Sequence, residues 1–429
     1  MNNGSIASKS APIRHAILGF QHLLAMYSGD ILVPLLIGAA LKFNGVQMTY
    51  FISMDIFMCG VATLLQIRRT PITGIGLPVV LGCAVEYVAP LQSIGKNFGL
   101  GYMYGGIIIA GIFIILIARP FAHLRKFFPP VVTGSLITLI GFTLMAVAFQ
   151  NIGGGDATQP TFGNPTHLFL GFFTALIIIV LNIWAKGFIK QISILLGILI
   201  GSATAVLMGT VNFTTVGQAN WVQIPQFFYF GVPKFEWSSI VTLILAALTC
   251  MIESTGVYFA LSDITQRKLT DRDLENGYRS EGIAAIFGGL FNTFPYSTFS
   301  QNVGIVQLSG IKTLTPIYYS AFMLMILGLI PKFGAIATLI PASVLGGAML
   351  IMFGMVGAQG IKMLSQVKLN DKNLLIIAVS VGLGLGVTTQ PHLFQFLPAT
   401  VQVIMSNGMV VGSFTAVIMN LILNRGEMK

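Results

Sequence analysis

Long apolar runs recur along almost the whole chain and constrain its fold more than any other feature. Clear examples span residues 103–118, 168–184, 240–250 and 374–387. Only 8% of the 429 residues are charged, whereas a soluble domain carries about 25%. A helix needs about 20 apolar residues to cross a bilayer. The chain is therefore predicted to be an all-α polytopic membrane protein, and the number of runs predicts fourteen transmembrane segments.

A weak internal repeat divides the predicted spans into two halves. Residues 129–134 read PPVVTG and residues 341–346 read PASVLG, so Pro, Val and Gly coincide about half a chain apart. An odd number of spans in each half would make the repeats inverted in the membrane. The predicted domains are a cytoplasmic N-terminal tail at 1–12, a first inverted repeat of spans one to seven at 13–211, an external linker at 212–234, a second inverted repeat of spans eight to fourteen at 235–424 and a cytoplasmic C-terminal tail at 425–429.

The distribution of basic residues predicts the orientation of the chain. Its net charge is +10, and of its 23 Lys and Arg residues all but four fall in the termini and the even-numbered loops. This asymmetry follows the positive-inside rule for a cell-membrane protein with both termini in the cytoplasm. The charge thus orients the protein in the lipid bilayer and does not indicate a nucleic-acid partner. The four exceptions are Lys42, Lys96, Lys234 and Lys332.

The sequence lacks the usual motifs of soluble enzymes and metal sites. Residues 382–386 read GLGLG, but they lie in an apolar span without a preceding strand, so they are not a dinucleotide-binding fingerprint. Cys59, Cys83 and Cys250 lie in apolar segments and are predicted to be free thiols that act as small hydrophobic residues. The sequence therefore predicts no catalysis, cofactor or metal ion.

Spans three and ten, which occupy equivalent positions in the two halves, are both irregular. Pro78 and Pro295 disfavour helix there, whereas Thr298 and Phe299 favour extended structure. We expect two short antiparallel strands to pair near the middle of the membrane. The helices that follow would present free N–H groups and positive dipole ends to a ligand. The alternative is an ordinary Gly/Pro kink in each span.

Span ten also carries polar side chains at membrane depth. Residues 299–310 read FSQNVGIVQLSG and include Ser300, Gln301 and Asn302, followed by Gly304. A side-chain amide is costly in hydrocarbon unless it faces a partner or a cavity. Glycine suits a break in a helix, and transporters use such breaks to hold their substrates. This stretch is therefore the strongest indication of a substrate site.

Five carboxylates lie within the predicted spans, where an ionisable group suggests function. Glu253 is the best candidate because it lies in the middle of an apolar span. Removal from water favours its protonated form, which can both donate and accept a hydrogen bond. Glu281 begins span nine and is expected either to relay protons or to pair with Arg279. The weaker candidates are Glu86, Asp30 and Asp55.

Gln21 and His22 form a polar pair in the first span. A single histidine in a membrane helix is more often a packing residue than a ligand. We expect this pair to support the binding site from the side, with a hydrogen bond from His22 to span eight, because polar groups inside a membrane usually pair with one another.

Three short polar motifs occur together in an order that points to a family. They are Gln-His at 21–22, Glu-x-x-Gly at 253–256 and Gln-Asn-x-Gly at 301–304. With this order and spacing the chain resembles the nucleobase–cation symporters, also called nucleobase–ascorbate transporters, over nearly its whole length. The resemblance implies two inverted seven-span repeats arranged as a core domain and a gate domain. It also implies a base bound between spans three and ten, a core that moves against the gate, and a homodimer.

Residue 301 distinguishes two branches of that family. Gln before the Asn resembles the xanthine and uric acid branch, whereas the uracil branch carries Glu. A neutral Gln301 offers both a donor and an acceptor to a purine edge. By this resemblance Glu253 and Gln301 would hold the purine. Backbone groups near Val85 and Tyr87 would assist them, with Asn302 as a supporting residue.

The chain departs from the family pattern at one position that bears on coupling. Relatives often place Asp or His four residues after the span-eight Glu, but this chain has Val257. Proton coupling would therefore depend on Glu253 and Glu281. The expectation is a secondary active transporter that imports a purine, with xanthine ahead of uric acid and guanine, by proton symport and alternating access. The alternatives are a uracil–proton symporter, a sulfate or bicarbonate transporter of similar fold, and Na⁺ as the coupling ion.

Overall fold

The computed structural model describes residues 10–124, 129–211, 213–299, 301–310, 312–398, 401–402 and 405–424. Most of these residues are helical, and the strands among them are the antiparallel pair β1 (Leu81–Cys83) and β2 (Tyr296–Thr298). The helices are α1 (Ser10–Asp30), α2 (Leu32–Ala40), α3 (Gly45–Ile67), α4 (Val88–Asn97), α5 (Leu100–Leu124), α6 (Pro130–Ile152), α7 (Pro165–Trp184), α8 (Gly187–Gln191), α9 (Ser193–Leu207), α10 (Thr214–Gln218), α11 (Trp237–Thr265), α12 (Asp271–Leu290), α13 (Gln301–Ser309), α14 (Thr315–Gly328), α15 (Pro331–Ala337), α16 (Ala342–Leu364), α17 (Asp371–Thr389) and α18 (Gly408–Leu423). Two short 3₁₀ turns occupy Val85–Tyr87 and Pro391–Phe394.

Several helices are long and apolar enough to cross a membrane. Within the described residues eight pass this test, and the pair α14 and α15, bent by 84°, makes a ninth if it is one broken span. Helices α9 and α18 are apolar but shorter. The protein is therefore a multi-pass membrane protein, as its apolar runs predict.

Polar residues mark where several long helices begin. Asn44 accepts a hydrogen bond from the backbone N–H of Gln47, whose side chain bonds back to Asn44, so a capping box opens α3. Thr270 and Asp273 form the same arrangement at the start of α12. Such caps satisfy N–H groups that have no partner inside the helix. They mark where α3 and α12 begin.

The helices pack as two groups, and each group draws on both halves of the chain. Helices α1 to α5 pack with α11 to α15, and the two strands lie within this first group. Helices α6 to α9 pack with α16 to α18 to form the second group. Few contacts join the groups; they run from α1 to α9, from α8 to α13 and from α11 to α6 and α18.

The closest association is between the antiparallel helices α6 and α16 of the second group. Small residues allow their backbones to approach: a Cβ added at Gly346 would lie 2.7 Å from the carbonyl oxygen of Ala148. A Cβ added at Gly141 would lie 2.5 Å from Cα of Gly357. Close backbone approach through small residues is the usual means of association inside a membrane.

Replacing Gly346 by Ala is expected to destabilise the protein, because the new methyl group would overlap backbone atoms that have no room to move. Overpacking of this kind costs about 1–3 kcal/mol, so the melting temperature followed by intrinsic tryptophan fluorescence should fall. The matched control is Gly382→Ala on α17, where no atom lies within 4 Å of the added Cβ. Equal melting temperatures for the two variants would contradict the close contact.

Candidate functional site

The two predicted strands form an antiparallel pair. Beyond the strand residues, Phe299 N–H donates to the carbonyl of Val80 at 2.9 Å, and Ala84 N–H donates to that of Pro295 at 3.1 Å. The pairing satisfies backbone groups that would otherwise be exposed at membrane depth. The prediction of paired strands is confirmed, and the alternative of ordinary kinks is wrong. The residues in register are Leu81 with Thr298, Gly82 with Ser297 and Cys83 with Tyr296.

Each strand leads directly into helical structure. The 3₁₀ turn Val85–Tyr87 and then α4 follow β1, and α13 begins at Gln301, three residues after the end of β2. Within the described residues no side chain caps the Val85–Tyr87 turn. Its first N–H groups therefore have neither an intrahelical partner nor a side-chain cap, which suits them to bind a polar ligand.

A small cavity lies where the strands meet α1, α11 and α16. Val85 and Glu253 line it from the first group of helices, and Met352, Phe353 and Val356 line it from α16 in the second group. Its volume is about 40 Å³, enough for about three water molecules. A planar base would need more room than this cavity offers.

Two carboxyl groups face each other beside this cavity, which Glu253 lines and Glu86 does not. The carboxyl of Glu253, on α11, faces that of Glu86 in the turn after β1. Glu86 is 2% exposed, and neither of its oxygens has a hydrogen bond of ordinary geometry to a described residue. The structure thus brings Glu253 and Val85 together from opposite halves of the chain. It adds Glu86, which the sequence alone ranks lower.

Glu281 lies deeper in the first group of helices, on α12. It is 1% exposed and accepts a hydrogen bond of 2.5 Å from the hydroxyl of Tyr258, which in turn accepts one from Gln66. Arg279 pairs instead with Glu275 at 2.6 Å. The expected alternative of a pair between Glu281 and Arg279 is therefore wrong, and Glu281 belongs to a buried chain of hydrogen-bonding groups.

The polar pair of the first span lies beside span ten. His22 is 3% exposed and its ring is next to the side chain of Asn302 on α13. The structure places this ring beside span ten, and the predicted hydrogen bond from His22 to span eight stays a prediction. Asn302 is 1% exposed. Gln21 lies partly buried on the same helix as His22.

The other predicted site residues surround this centre or lie outside the described part. Tyr87 is buried in the turn after β1 but does not line the cavity. The carbonyl of Gly304 accepts a hydrogen bond of 3.4 Å from Gln191, which joins α13 to α8 in the second group. Ser300 and the side chain of Gln301 lie outside the described residues.

Sequence reasoning missed the contribution of α16 and undervalued Asp30. Met352, Phe353 and Val356 carry no polar signal, and only the packing of the two groups brings them to the cavity. Asp30 lines the same cavity and accepts a hydrogen bond of 2.5 Å from Cys83 N–H in β1. Asp30 therefore holds the backbone of β1 in place, a role that its sequence context does not indicate.

Comparison with known proteins agrees with this architecture. Residues 14–393 match the sequence model of the xanthine/uric acid type Permease family. The chain is 53% identical to the protein named xanthine permease of Bacillus subtilis (strain 168) over 408 residues, which cover 95% of this chain and 93% of the relative. It is 52% identical to the uric acid permease PucK of the same organism, over 94% of this chain and 93% of the relative.

Solved structures show the same fold at low sequence identity. The transmembrane domain of the cyanobacterial bicarbonate transporter BicA matches with a TM-score of 0.66 and 13% identity, over 92% of this chain and 98% of that one. The murine anion transporter Slc26a9 in its inward-facing state matches with a TM-score of 0.65 and 11% identity, over 98% of this chain and 69% of that one. In sequence, however, the chain is much more similar to the permeases, at 53% identity to the first of them, than to these transporters, at 13% or less. The chain therefore belongs to this permease family, the nucleobase–ascorbate transporters, and is a membrane transporter and not an enzyme.

Proposed function

We propose that this protein imports a purine nucleobase, with xanthine the leading substrate, by proton symport and alternating access. The observation that carries the proposal is the carboxyl of Glu253 on the wall of the cavity between the paired strands and α16. The names of the relatives, xanthine permease and uric acid permease, support a purine as the substrate. A neutral Gln301, which can donate and accept, favours a purine over uracil.

Binding of the base would use groups from both strands. Glu253 would hold one polar edge, and the N–H groups of the turn that begins at Val85 would hold an adjoining one. Gln301 would complete the contacts from the start of α13. Asn302, next to His22, would support the orientation of that helix. Since pocket groups left unpaired are costly, this arrangement would favour planar ligands rich in hydrogen-bonding atoms.

Proton coupling would arise at Glu253 and Glu86. Two buried carboxyl groups that face each other cannot both carry a negative charge without a large cost in free energy, so the pair would hold one proton between them. Glu281, hydrogen-bonded to Tyr258, would provide a further protonation site on the path of the proton from Glu253 to the cytoplasm. Symport follows if proton and base each stabilise the state in which the core can move.

The fold supports fourteen spans in two inverted repeats. Beyond the nine candidate spans, α9, α12, α18 and the two strand–helix segments β1–α4 and β2–α13 would supply the other five. If each helix is replaced by its counterpart in the other half, packed pairs map onto packed pairs. The pair α5 and α12 maps onto α14 and α3, and the pair α7 and α16 maps onto α17 and α6. The pair α6 and α16 maps onto itself. The first group of helices would be the core domain and the second group the gate domain.

Orientation, assembly and coupling ion complete the proposal. Both termini would lie in the cytoplasm, as the basic residues indicate, and the protein would form a homodimer. Transport would need no cofactor, and H⁺ would be the coupling ion. Measuring uptake with an inward Na⁺ gradient and no proton gradient would show which of the two ions drives transport.

Uptake of radiolabelled xanthine into proteoliposomes tests the proposal directly. We expect accumulation only with an inward proton gradient, and competition by unlabelled xanthine, uric acid or guanine but not by uracil or sulfate. Accumulation driven by Na⁺ alone would overturn the proposed coupling. Uptake of uracil, sulfate or bicarbonate without uptake of xanthine would overturn the proposed substrate.

Replacing Gln301 by Glu is expected to weaken xanthine binding about ten- to a hundredfold, because an ionised carboxylate only accepts hydrogen bonds and leaves an acceptor of the base unpaired. The dissociation constant from competition of labelled xanthine by unlabelled base measures this effect. The companion variant Gln307→Glu changes the charge of α13 in the same way at an exposed position. Unchanged xanthine affinity in Gln301→Glu would remove Gln301 from the site.

A further inference from the structure

A second buried polar cluster lies against β1, apart from the pair of Glu253 and Glu86. Asp30 is the last residue of α1, and Asp55 and Cys59 lie one turn apart on α3. All three are buried, with exposures of 2%, 0% and 0%. One ligand atom from each lies within 4.8 Å of the others.

The distances within this cluster are those between ligands that share a metal ion. The thiol sulfur of Cys59 lies 3.3 Å from Oδ2 of Asp30 and 3.9 Å from Oδ1 of Asp55. The sulfur of Cys83, in β1, lies 2.9 Å from the same oxygen of Asp55. Metal–ligand bonds of about 2.0–2.3 Å at tetrahedral angles place neighbouring ligands at separations of this order.

The charge of the cluster also favours a cation. Asp30 and Asp55 face each other, and no Lys or Arg among the described residues forms an ion pair with either of them. Oδ2 of Asp55 is fully buried and has no hydrogen bond of ordinary geometry to a described residue; the group that its carboxyl faces is the carboxyl of Asp30. A divalent cation would replace the proton that two facing buried carboxyl groups otherwise share, and would offset most of the negative charge of the deprotonated ligands. A thiol beside the carboxylates selects a soft or borderline ion over Mg²⁺ or Ca²⁺.

We propose that Asp30, Asp55 and Cys59 bind one thiophilic divalent cation, Zn²⁺ or Cd²⁺, with the thiol of Cys83 as the candidate fourth ligand. Binding would release the thiol proton of Cys59 and the proton that Asp30 and Asp55 share, because thiolate and carboxylate are the ligands. The ion would enter through the transport cavity, which Asp30 and Cys83 both line.

The position of this site gives the ion a consequence for transport. Asp30 accepts the N–H of Cys83 and so links α1 to β1, and Tyr296 in β2 donates to Asp55 at 3.1 Å. A metal ion here would tie α1 and α3 to the strand pair at the wall of the cavity. We expect it to inhibit uptake. Only this inhibition depends on the proposed function; metal binding itself does not.

Titration of the purified protein in lipid nanodiscs with Cd²⁺ tests the site. We expect one ion per chain, seen as the ultraviolet charge-transfer band of a cadmium–thiolate bond. Cys59→Ala should abolish or strongly reduce this band, and Asp55→Asn should weaken binding about tenfold or more. The matched control is Cys250→Ala, which removes a buried free thiol on α11 outside the cluster and should leave the titration unchanged.

X-ray absorption of the wild-type protein with one equivalent of Cd²⁺ keeps the proposal testable if a variant fails to fold. We expect at least one sulfur together with oxygen atoms in the first coordination shell. Binding of less than one ion per chain, a shell without sulfur, or a band lost in Cys250→Ala but kept in Cys59→Ala would overturn the site. If the ion binds as expected but xanthine uptake is absent, the proposed function fails and the metal site stands.

Discussion

The variant Glu253→Gln is expected to lose accumulation of purine against a gradient while it still exchanges labelled for unlabelled base. A Gln side chain offers a donor and an acceptor, as a protonated carboxyl does, so binding should stay within about tenfold of wild type, or about 1.4 kcal/mol. It cannot release a proton, so internal base should rise only to the external concentration. Proteoliposomes with and without a proton gradient measure both activities.

The loss of accumulation in Glu253→Gln depends on whether Glu86 alone can bind and release the coupled proton. Its carboxyl faces Glu253 and has no other hydrogen-bond partner of ordinary geometry among the described residues. Once residue 253 is neutral, Glu86 loses the partner that would share its proton. The matched control is Glu275→Gln, which removes a carboxylate paired with Arg279 at the start of α12 and should accumulate normally. Full concentrative uptake by Glu253→Gln would refute the role of Glu253 in coupling.

The strand pair was predictable because several local signals coincide in spans three and ten. Pro78 and Pro295 exclude helix, and residues with a preference for extended structure follow the second proline. Polar residues at the same depth indicate a cavity. The register was not predictable, since three-residue strands with little alternation accept several alignments. In the fold, two further backbone hydrogen bonds fix the register. They join Phe299 to Val80 and Ala84 to Pro295 on either side of the strand pair.

The candidate site was predictable only at residues whose polar side chain carries a free-energy cost in an apolar segment. Glu253 stands out because an acid in the middle of an apolar run needs a reason to be there. Asp55 and Cys59 carry a weaker signal, the spacing of four that places both on one face of a helix. Nothing local links them to Asp30 at the end of another helix, so the cysteines are interpreted from sequence as apolar packing residues. Only the fold places these side chains together.

The α16 side of the cavity is formed by apolar side chains, and a substitution there gives the second large expected effect. Replacing Met352 by Trp should reduce xanthine uptake at least about tenfold, because a larger side chain would fill a cavity of only about 40 Å³ that the base must occupy. Met352 is 3% exposed and lies on α16, the helix that would part from the strands in the proposed alternating access. Exchange should fall together with accumulation, unlike in Glu253→Gln.

A substitution at a nearby exposed position of α16, outside the cavity lining, separates blocking of the cavity from general damage to that helix. Met355 is 42% exposed, so Met355→Trp adds the same bulk one turn away, outside the cavity, and should transport as wild type does. Loss of exchange in Met352→Trp but not in Met355→Trp would place the base between the strands and α16. Wild-type uptake by Met352→Trp would mean that the base binds elsewhere, since a site closed by α16 cannot hold both a purine and an indole. The pair of variants therefore tests the position of the site independently of its proton chemistry.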